Sequence, residues 1–159
     1  MRITILTLLL FFPVLVFAQD LPNWAEVKLN SAQDFQQSNF LSPSFFETDF
    51  NGDGKNDIAV SVVNDGKFGI ALFLKDDSVF VAGAGRSFGS GGNDFSWADV
   101  WQIFDKEKTY RITFKENGDI DGEQEVLLDN PAISIRQSEG SGGLIYFDGN
   151  KFTWIHQGG

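Results

Sequence analysis

The feature that most restricts the fold is a succession of short apolar segments, each followed by a turn signal. The clearest pair, residues 58–63 and 68–74, flanks Asn64-Asp65-Gly66-Lys67, a combination typical of β-hairpins. Further segments of this kind are residues 45–48, 79–82, 110–114, 125–128, 132–135, 144–147 and 152–156. About eight or nine short antiparallel strands predict a mainly β single domain, either a sandwich or a curved sheet, with at most one or two short helices.

A polar stretch, residues 49–57, places oxygen-bearing groups at alternate positions directly before the 58–63 segment. If Asp49 is position 1, then Asn51, Asp53, the Lys55 carbonyl and Asp57 occupy positions 3, 5, 7 and 9. Alternate residues of a tight loop can turn toward one point, and Ca²⁺ takes roughly six to eight oxygens at about 2.3–2.6 Å. The spacing therefore predicts a calcium site made by these five residues.

The residues around this loop decide which kind of calcium loop it is. An EF-hand needs a Glu at position 12, where this chain has Val60, and a following helix, where this chain has an apolar strand pattern. The stretch DFNGDGKNDIAV, residues 49–60, instead resembles the D-x-N-G-D-G-x-x-D-[IL]-A-V signature of FG-GAP or VCBS-type repeats, the calcium loops of integrin-like propellers. The resemblance implies bound Ca²⁺. The competing interpretation is that Asn51-Gly52 and Asp53-Gly54 are only turn residues with solvated carboxylates.

A full propeller is excluded by length. Such a fold needs several four-stranded blades of about 40–50 residues each, and this chain of 159 residues has one good copy of the loop.

Electrostatics still favours a metal in that single copy. Carboxylates about 6 Å apart repel by roughly 0.7 kcal/mol per pair in water, and by about 2.8 kcal/mol at an effective dielectric constant of 20. A bound divalent cation reverses the sign of this energy.

The first 18 residues have the pattern of a secretory signal peptide. Arg2 precedes an apolar run over residues 3–17, and Val16 and Ala18 suit cleavage after Ala18. The run is shorter than the roughly 20 residues that span a bilayer, so an uncleaved anchor is the weaker alternative. We expect export to the periplasm or the cell exterior, a single β-rich domain over residues 19–159, and no stable membrane insertion after cleavage.

The charge balance restricts the partners. The chain carries 22 acidic and 12 basic side chains, and loss of Arg2 with the leader would give a net charge of about −11. Nucleic acids and anionic membranes both require a positive patch, so neither is an expected partner. We expect a protein or glycan of the cell envelope or exterior instead. The chain has no cysteine, which excludes disulfides.

Three other stretches contain patterns that bear on a site or on secondary structure. Residues 117–125 repeat the oxygen spacing of the calcium loop, but Asn117-Gly118 is also a common hairpin turn. The glycine-rich residues 83–92 lack the spacing of a phosphate loop, and Arg86 could grip a carboxylate beside a mobile loop. Residues 24–29 alternate well enough for a first strand, and Ser31 could cap a short helix after it.

Aromatic residues and the single histidine bear on catalysis. Residues 95–104 contain four aromatics and fit either a helical or a strand face, both typical of a core; an exposed Trp97 or Trp101 would suit stacking on a sugar. His156 could act with Asp99 or a serine, but no nucleophile motif accompanies it. The sequence therefore predicts a calcium-binding β domain with a non-enzymatic binding or structural role. The alternatives are a hydrolase acting on carbohydrate or cell-wall material, and an inhibitor of a secreted enzyme.

Overall fold

Residues 20–32 and 34–158 are described by a computed structural model. The signal-peptide prediction for residues 1–18 lies outside this part of the chain. Within it the elements are α1 (Asn23–Ser31), β1 (Gln36–Gln37), β2 (Phe45–Thr48), β3 (Asp57–Asn64), β4 (Lys67–Phe73), β5 (Val79–Gly83), a 3-10 helix (Gly89–Gly91), β6 (Val100–Phe104), β7 (Lys108–Phe114), β8 (Ile120–Leu127), β9 (Ala132–Arg136), β10 (Gly142–Phe147) and β11 (Phe152–Gln157).

These strands form three antiparallel sheets. The first sheet has the order β1-β3-β4-β5, and β2 pairs with the other half of the β3 edge. The second sheet has the order β11-β10-β9-β6, and β7 and β8 form a separate hairpin. The mainly β prediction is confirmed: the described residues form eleven strands in place of eight or nine, and these strands make neither a closed barrel nor a propeller.

The two larger sheets pack face to face and enclose the main core. Alternate residues of β3 and β4, such as Ala59, Ile70 and Leu72, join Ile133 and Ile145 of the second sheet in one buried cluster. Because strand side chains alternate between faces, this period of two is what a sandwich requires. The shared cluster means that a side chain on the inner face of either sheet touches the other sheet.

Each sheet also has a covered outer face. Helix α1 packs Ala25 and Leu29 against Ile58, Val60 and their neighbours on the first sheet. On the second sheet, Leu144 and Ile155 cluster with Leu128 and with the partly buried Val126 of β8. The order of layers is therefore helix, first sheet, second sheet and hairpin.

The predicted strand over residues 24–29 is wrong, because these residues lie in α1. Ala25 and Leu29, four residues apart, are buried, whereas Val27, on the same alternating face, is 58% exposed. A spacing of four fits the helical period of 3.6 and not the strand period of two. The predicted helix starting at Ser31 is also wrong, since α1 ends at Ser31 and Gln36–Gln37 forms β1.

No helix within the described residues has both the length and the apolar character to cross a membrane.

Candidate calcium loop and aromatic cleft

The 49–57 loop connects β2 to β3 at one end of the first sheet, where Thr48 pairs with Asp57. Phe50 anchors it, because this side chain is 1% exposed and belongs to the core between the sheets. Gly52 and Gly54 have φ of 77° and 82°, values that favour glycine. Packing of the Phe50 side chain in the core therefore fixes the position of this otherwise polar loop on the sandwich.

The Asp49 carboxylate lies at the centre of the loop. Its Oδ1 accepts the N–H groups of Gly52 at 2.7 Å and Asp53 at 3.2 Å, and its Oδ2 accepts the N–H of Gly54 at 2.8 Å. Three backbone donors therefore point at one carboxylate. They satisfy amides that would otherwise need water, and they hold Asp49 in the position that a first calcium ligand would occupy.

The next two predicted ligands, Asn51 and Asp53, accept hydrogen bonds from residues two positions further along the chain. Asn51 Oδ1 accepts the N–H of Asp53 at 3.1 Å, and Asp53 Oδ1 accepts the N–H of Lys55 at 2.8 Å. Each oxygen has two lone pairs, so an oxygen that accepts one N–H can still bind a cation. Asn51 therefore has one side-chain oxygen with a free lone pair, and Asp53 has two. Lys55 lies on the exposed side of the loop.

Asp57 is fully buried, unlike the other four predicted ligands. Its Oδ2 accepts the N–H of Phe50 at 3.1 Å, and its Oδ1 accepts the N–H of Lys75, after β4, at 3.0 Å. Burial raises the pKa of this carboxyl; the bonds from Lys75 and Phe50 oppose the rise, and the charges of Asp53 and Asp49 add to it. The fold therefore places an acid where its ionised form is disfavoured.

Two observations bear on whether these residues suit Ca²⁺. No ion pair in the described part of the chain involves Asp49, Asp53 or Asp57. Across residues 20–32 and 34–158, no three side chains of the His, Cys, Asp or Glu type are grouped as metal ligands. Calcium, however, also takes amide and backbone carbonyl oxygens as ligands. With Asn51 and the Lys55 carbonyl included, free lone pairs remain on about seven oxygens of the loop, a number within the roughly six to eight that Ca²⁺ takes.

The second oxygen run, residues 117–125, is a hairpin and not a loop. Asn117 and Gly118 lie in the turn between β7 and β8, where Asn117 Oδ1 accepts the N–H of Asp119 at 3.1 Å. β8 then begins at Ile120 and pairs with β7, with one register irregularity at Asp121. Because the chain is extended there, Asp121, Glu123 and Glu125 are spread along a strand. The structure contradicts the interpretation of this stretch as a calcium loop.

The glycine-rich segment after β5 packs around Trp154 of β11. A Cβ atom on Gly89 would lie 2.6 Å from the Trp154 Cβ, and one on Gly91 would lie 3.3 Å from the indole ring. Gly143 of β10 lies on the indole as well, where an added Cβ would overlap Cζ2 and Cε2. These glycines make room for one large side chain. Arg86, by contrast, is exposed and lies 4.0 Å from Asp34, too loose a contact to form a site.

An open cleft of about 300 Å³ lies beside Trp154. We call it the aromatic cleft, and define it by the side chains of Ser90, Trp97, Gln137, Ser141, Trp154 and His156. Its three aromatic residues are half-buried, and its serines and glutamine are exposed. Trp101 is instead 4% exposed, with its Nε1 donating to the Pro43 carbonyl at 2.8 Å. Of the two tryptophans in residues 95–104, only Trp97 therefore belongs to an accessible surface.

Of the two predicted partners, His156 contacts a serine, Ser90, whereas Asp99 bonds to Ser138. His156 Nδ1 lies 3.3 Å from Ser90 Oγ, and its ring lies 5.5 Å from that of Phe114. Asp99 instead accepts the Ser138 N–H at 2.6 Å and the Ser138 hydroxyl at 2.7 Å. Its carboxylate therefore holds the loop after β9 and does not orient the imidazole.

The sequence suggested that the glycine-rich segment and exposed tryptophans could form a cleft, but it did not assemble the aromatic cleft, because the lining residues come from four separate segments. No local motif joins Ser90, Trp97, Gln137 and Trp154. A partial signal was present in the glycines at 89, 91 and 143, whose missing side chains leave space for an aromatic. That space can be recognised only in the folded sheet, where strand pairing places Gly143 opposite His156 and beside Trp154.

Comparison with known proteins gives no further assignment: no protein-family model, no curated protein and no solved structure matches this chain.

Proposed function

We propose that this protein is an exported calcium-binding β domain with a non-enzymatic binding or structural role. Asp49, Asn51, Asp53, the Lys55 carbonyl and Asp57 would hold the ion. The observation that supports the proposal most is Asp57, a buried carboxylate whose pKa is raised by burial and further by two neighbouring carboxylates, and which has no ion pair in the described chain. A divalent cation is the ligand that would stabilise such a group.

The ion's role would be to hold the chain in place. Asp57 already connects Phe50, in the loop, to the N–H of Lys75, beyond the end of β4. A cation bound to Asp57 would therefore fix the 49–57 loop relative to the turn between β4 and β5. With the loop oxygens shared between backbone N–H groups and the ion, little coordination remains for a substrate. This is why a structural role fits the loop better than metal-assisted catalysis.

Thermal unfolding with and without calcium tests the proposal. At a free concentration 100 times its Kd, one ion adds about 2.7 kcal/mol to the free energy of unfolding. For a chain of this size we expect the Tm to rise by roughly 5–10 °C relative to protein in chelator. Asp53→Ala removes an exposed ligand without opening the core, so it should abolish the rise. Asp121→Ala removes one acid from the β8 strand and should preserve it.

The two acid variants separate a specific site from general screening of negative charge. If both variants lost the same part of the calcium effect, the ion would be acting on net charge and the loop would not be a site. Identical melting curves in calcium and in chelator for the unaltered protein would remove the proposal altogether.

A second candidate function, inhibition of a secreted enzyme, is favoured by the β7–β8 hairpin. It carries four exposed large apolar residues, namely Tyr110, Phe114, Ile120 and Leu127. Ile120 and Leu127 are 65% and 69% exposed, and Ile120 lies directly opposite the exposed Phe114 on β7. A panel of secreted hydrolases assayed with the unaltered protein tests this function. Inhibition that is lost in Ile120→Lys but kept in Val27→Lys, an exposed position on α1, would support it.

The third class, a carbohydrate hydrolase, requires two carboxylates facing one another across a cleft, about 5–10 Å apart. The aromatic cleft is lined by serine, glycine, glutamine, tryptophan and histidine. Its lining therefore favours binding over acid–base hydrolysis.

A further inference from the structure

We infer that the aromatic cleft binds a neutral sugar segment of one or two rings. This inference deepens the proposed binding role and rests on it. The cleft has a volume of about 300 Å³, at the lower limit of the roughly 300–1,000 Å³ typical of small-molecule sites. It is open to one side, as a site for a chain of linked sugars must be.

The aromatic part of the cleft offers ring surface and not polar groups. Trp97 and Trp154 lie edge to face, with centroids 6.4 Å apart and planes at 88°. The Trp97 Nε1 already donates to the Gly91 carbonyl at 3.2 Å, and the Trp154 Nε1 is buried. A ligand therefore meets indole carbon surface on this side. The C–H face of a pyranose is an apolar surface of suitable size for such contact.

The other side of the cleft offers hydroxyl and amide groups. Ser90, Gln137 and Ser141 together supply donors and acceptors in the same small space. A sugar presents hydroxyls around the edge of its ring, so it can meet polar and apolar surfaces at the same time.

The charges around the cleft decide between neutral and anionic sugars. Its lining includes no Lys, Arg, Asp or Glu, and the whole chain carries a net charge of −10. An anion in the cleft would lose solvation without gaining a Lys or Arg partner, and the field of the protein would repel it. A uronic acid is therefore a poorer ligand than a neutral hexose.

The cleft is also preorganised. Glycines at 89, 91 and 143 fix the indole of Trp154, and the Trp97 Nε1 bond to Gly91 holds the second ring against it. The Ser90 contact with His156 ties the 3-10 helix to β11. Because these side chains are already held in the free protein, little ordering free energy would be lost on binding.

Titration of the full chain with neutral trisaccharides tests the inference. Cellotriose, maltotriose and N-acetylated chitotriose are followed by tryptophan fluorescence and calorimetry at millimolar concentration, with trigalacturonic acid as the anionic probe. We expect saturable binding of at least one neutral trisaccharide and weaker binding of the acid. Ser141→Trp alters an exposed position and fills the cleft, so it should weaken binding at least about tenfold. Trp24→Phe, at a tryptophan outside the cleft, should leave it unchanged.

Each outcome supports or overturns a distinct claim. If no neutral trisaccharide binds while calcium still raises the Tm, the cleft inference fails and the calcium proposal stands. Binding that Ser141→Trp leaves intact, in a variant with an unchanged Tm, would place the sugar elsewhere and overturn the inference. Cleavage of a bound sugar, detected by chromatography, would keep the cleft as a sugar site but overturn the non-enzymatic role.

Discussion

At the scale of single residues, Asp57 is an acid whose charged form the fold disfavours. It is fully buried, and burial raises its pKa above the ordinary value of 3.8. A group with a raised pKa in the folded state contributes stability below its unfolded pKa, and loses that contribution as pH rises through the folded value. Without calcium, ionised Asp57 should therefore make the fold less stable at neutral pH.

The raised pKa of Asp57 leads to a prediction about how the calcium effect on the Tm depends on pH. Calcium binds the ionised form of Asp57, so the Tm difference between calcium and chelator should be greatest above the raised pKa. It should shrink as pH falls through that value, which lies above 3.8. Scanning calorimetry across acidic buffers measures the difference directly. A calcium effect that stayed constant down to pH 3.8 would show that Asp57 is not a ligand.

Ser61 on β3 gives a second prediction at this scale. Its side chain is fully buried, on the same strand face as Ala59, and its hydroxyl has no hydrogen-bond partner in the described chain. A buried hydroxyl without a partner costs about 1–3 kcal/mol. We expect Ser61→Ala to raise the free energy of unfolding by roughly 1 kcal/mol in urea titrations.

Thr109 is the matched control, because it is also buried but its Oγ1 donates to Gln157 Oε1 at 3.1 Å. Removing a hydroxyl that has a partner should cost stability, so Thr109→Val should lower the free energy of unfolding by roughly 1 kcal/mol. Destabilisation by both changes would mean that Ser61 is satisfied in solution.

At the scale of elements, the strands with strong local signals were predictable and those without were not. Asn64-Asp65-Gly66-Lys67 predicts the β3–β4 hairpin, because the turn and the apolar pattern agree. Helix α1 was missed because a pair of buried residues four apart is too few to distinguish helix from strand. The 49–57 loop was identified from spacing alone, but the bond from Lys75 to Asp57 depends on tertiary structure.

The glycines around Trp154 give a prediction for an element. Gly143 lies within β10, where an added methyl group would overlap the indole ring. Overpacking of this kind costs about 1–3 kcal/mol, and so we expect Gly143→Ala to lower stability by that amount and to shift the tryptophan emission. Gly122 of β8 is the control, since its nearest neighbour would be 4.0 Å from the added Cβ. Equal effects of the two substitutions would contradict the packing role of Gly143.

At the scale of the whole molecule, stability comes from packing between layers. The chain has no cysteine, so no covalent link holds the two sheets together. The inner cluster uses large side chains from both sheets and from the loops beside them; among the largest are Phe50 and Phe95 from loops and Trp101 from β6. Phe50 belongs to this cluster and also to the 49–57 loop, so a change in the loop acts directly on the main core. A calcium ion at the edge of the sandwich would in this way stabilise the whole fold.

The last prediction concerns where the mature chain begins. We expect the exported protein to start at Gln19, because Val16 and Ala18 precede a cleavage site that follows a short apolar run. Cleavage there is compatible with the fold, since the first fully buried side chain of the described chain is Ala25 in α1. All strands and the whole of α1 would remain. Intact mass of protein collected from the periplasm and the medium gives the start directly. Recovery only of a membrane-bound species that retains Met1 and Arg2 would contradict export by cleavage. A melting curve of a chain that starts at Gln19 would show separately whether the leader is needed for folding.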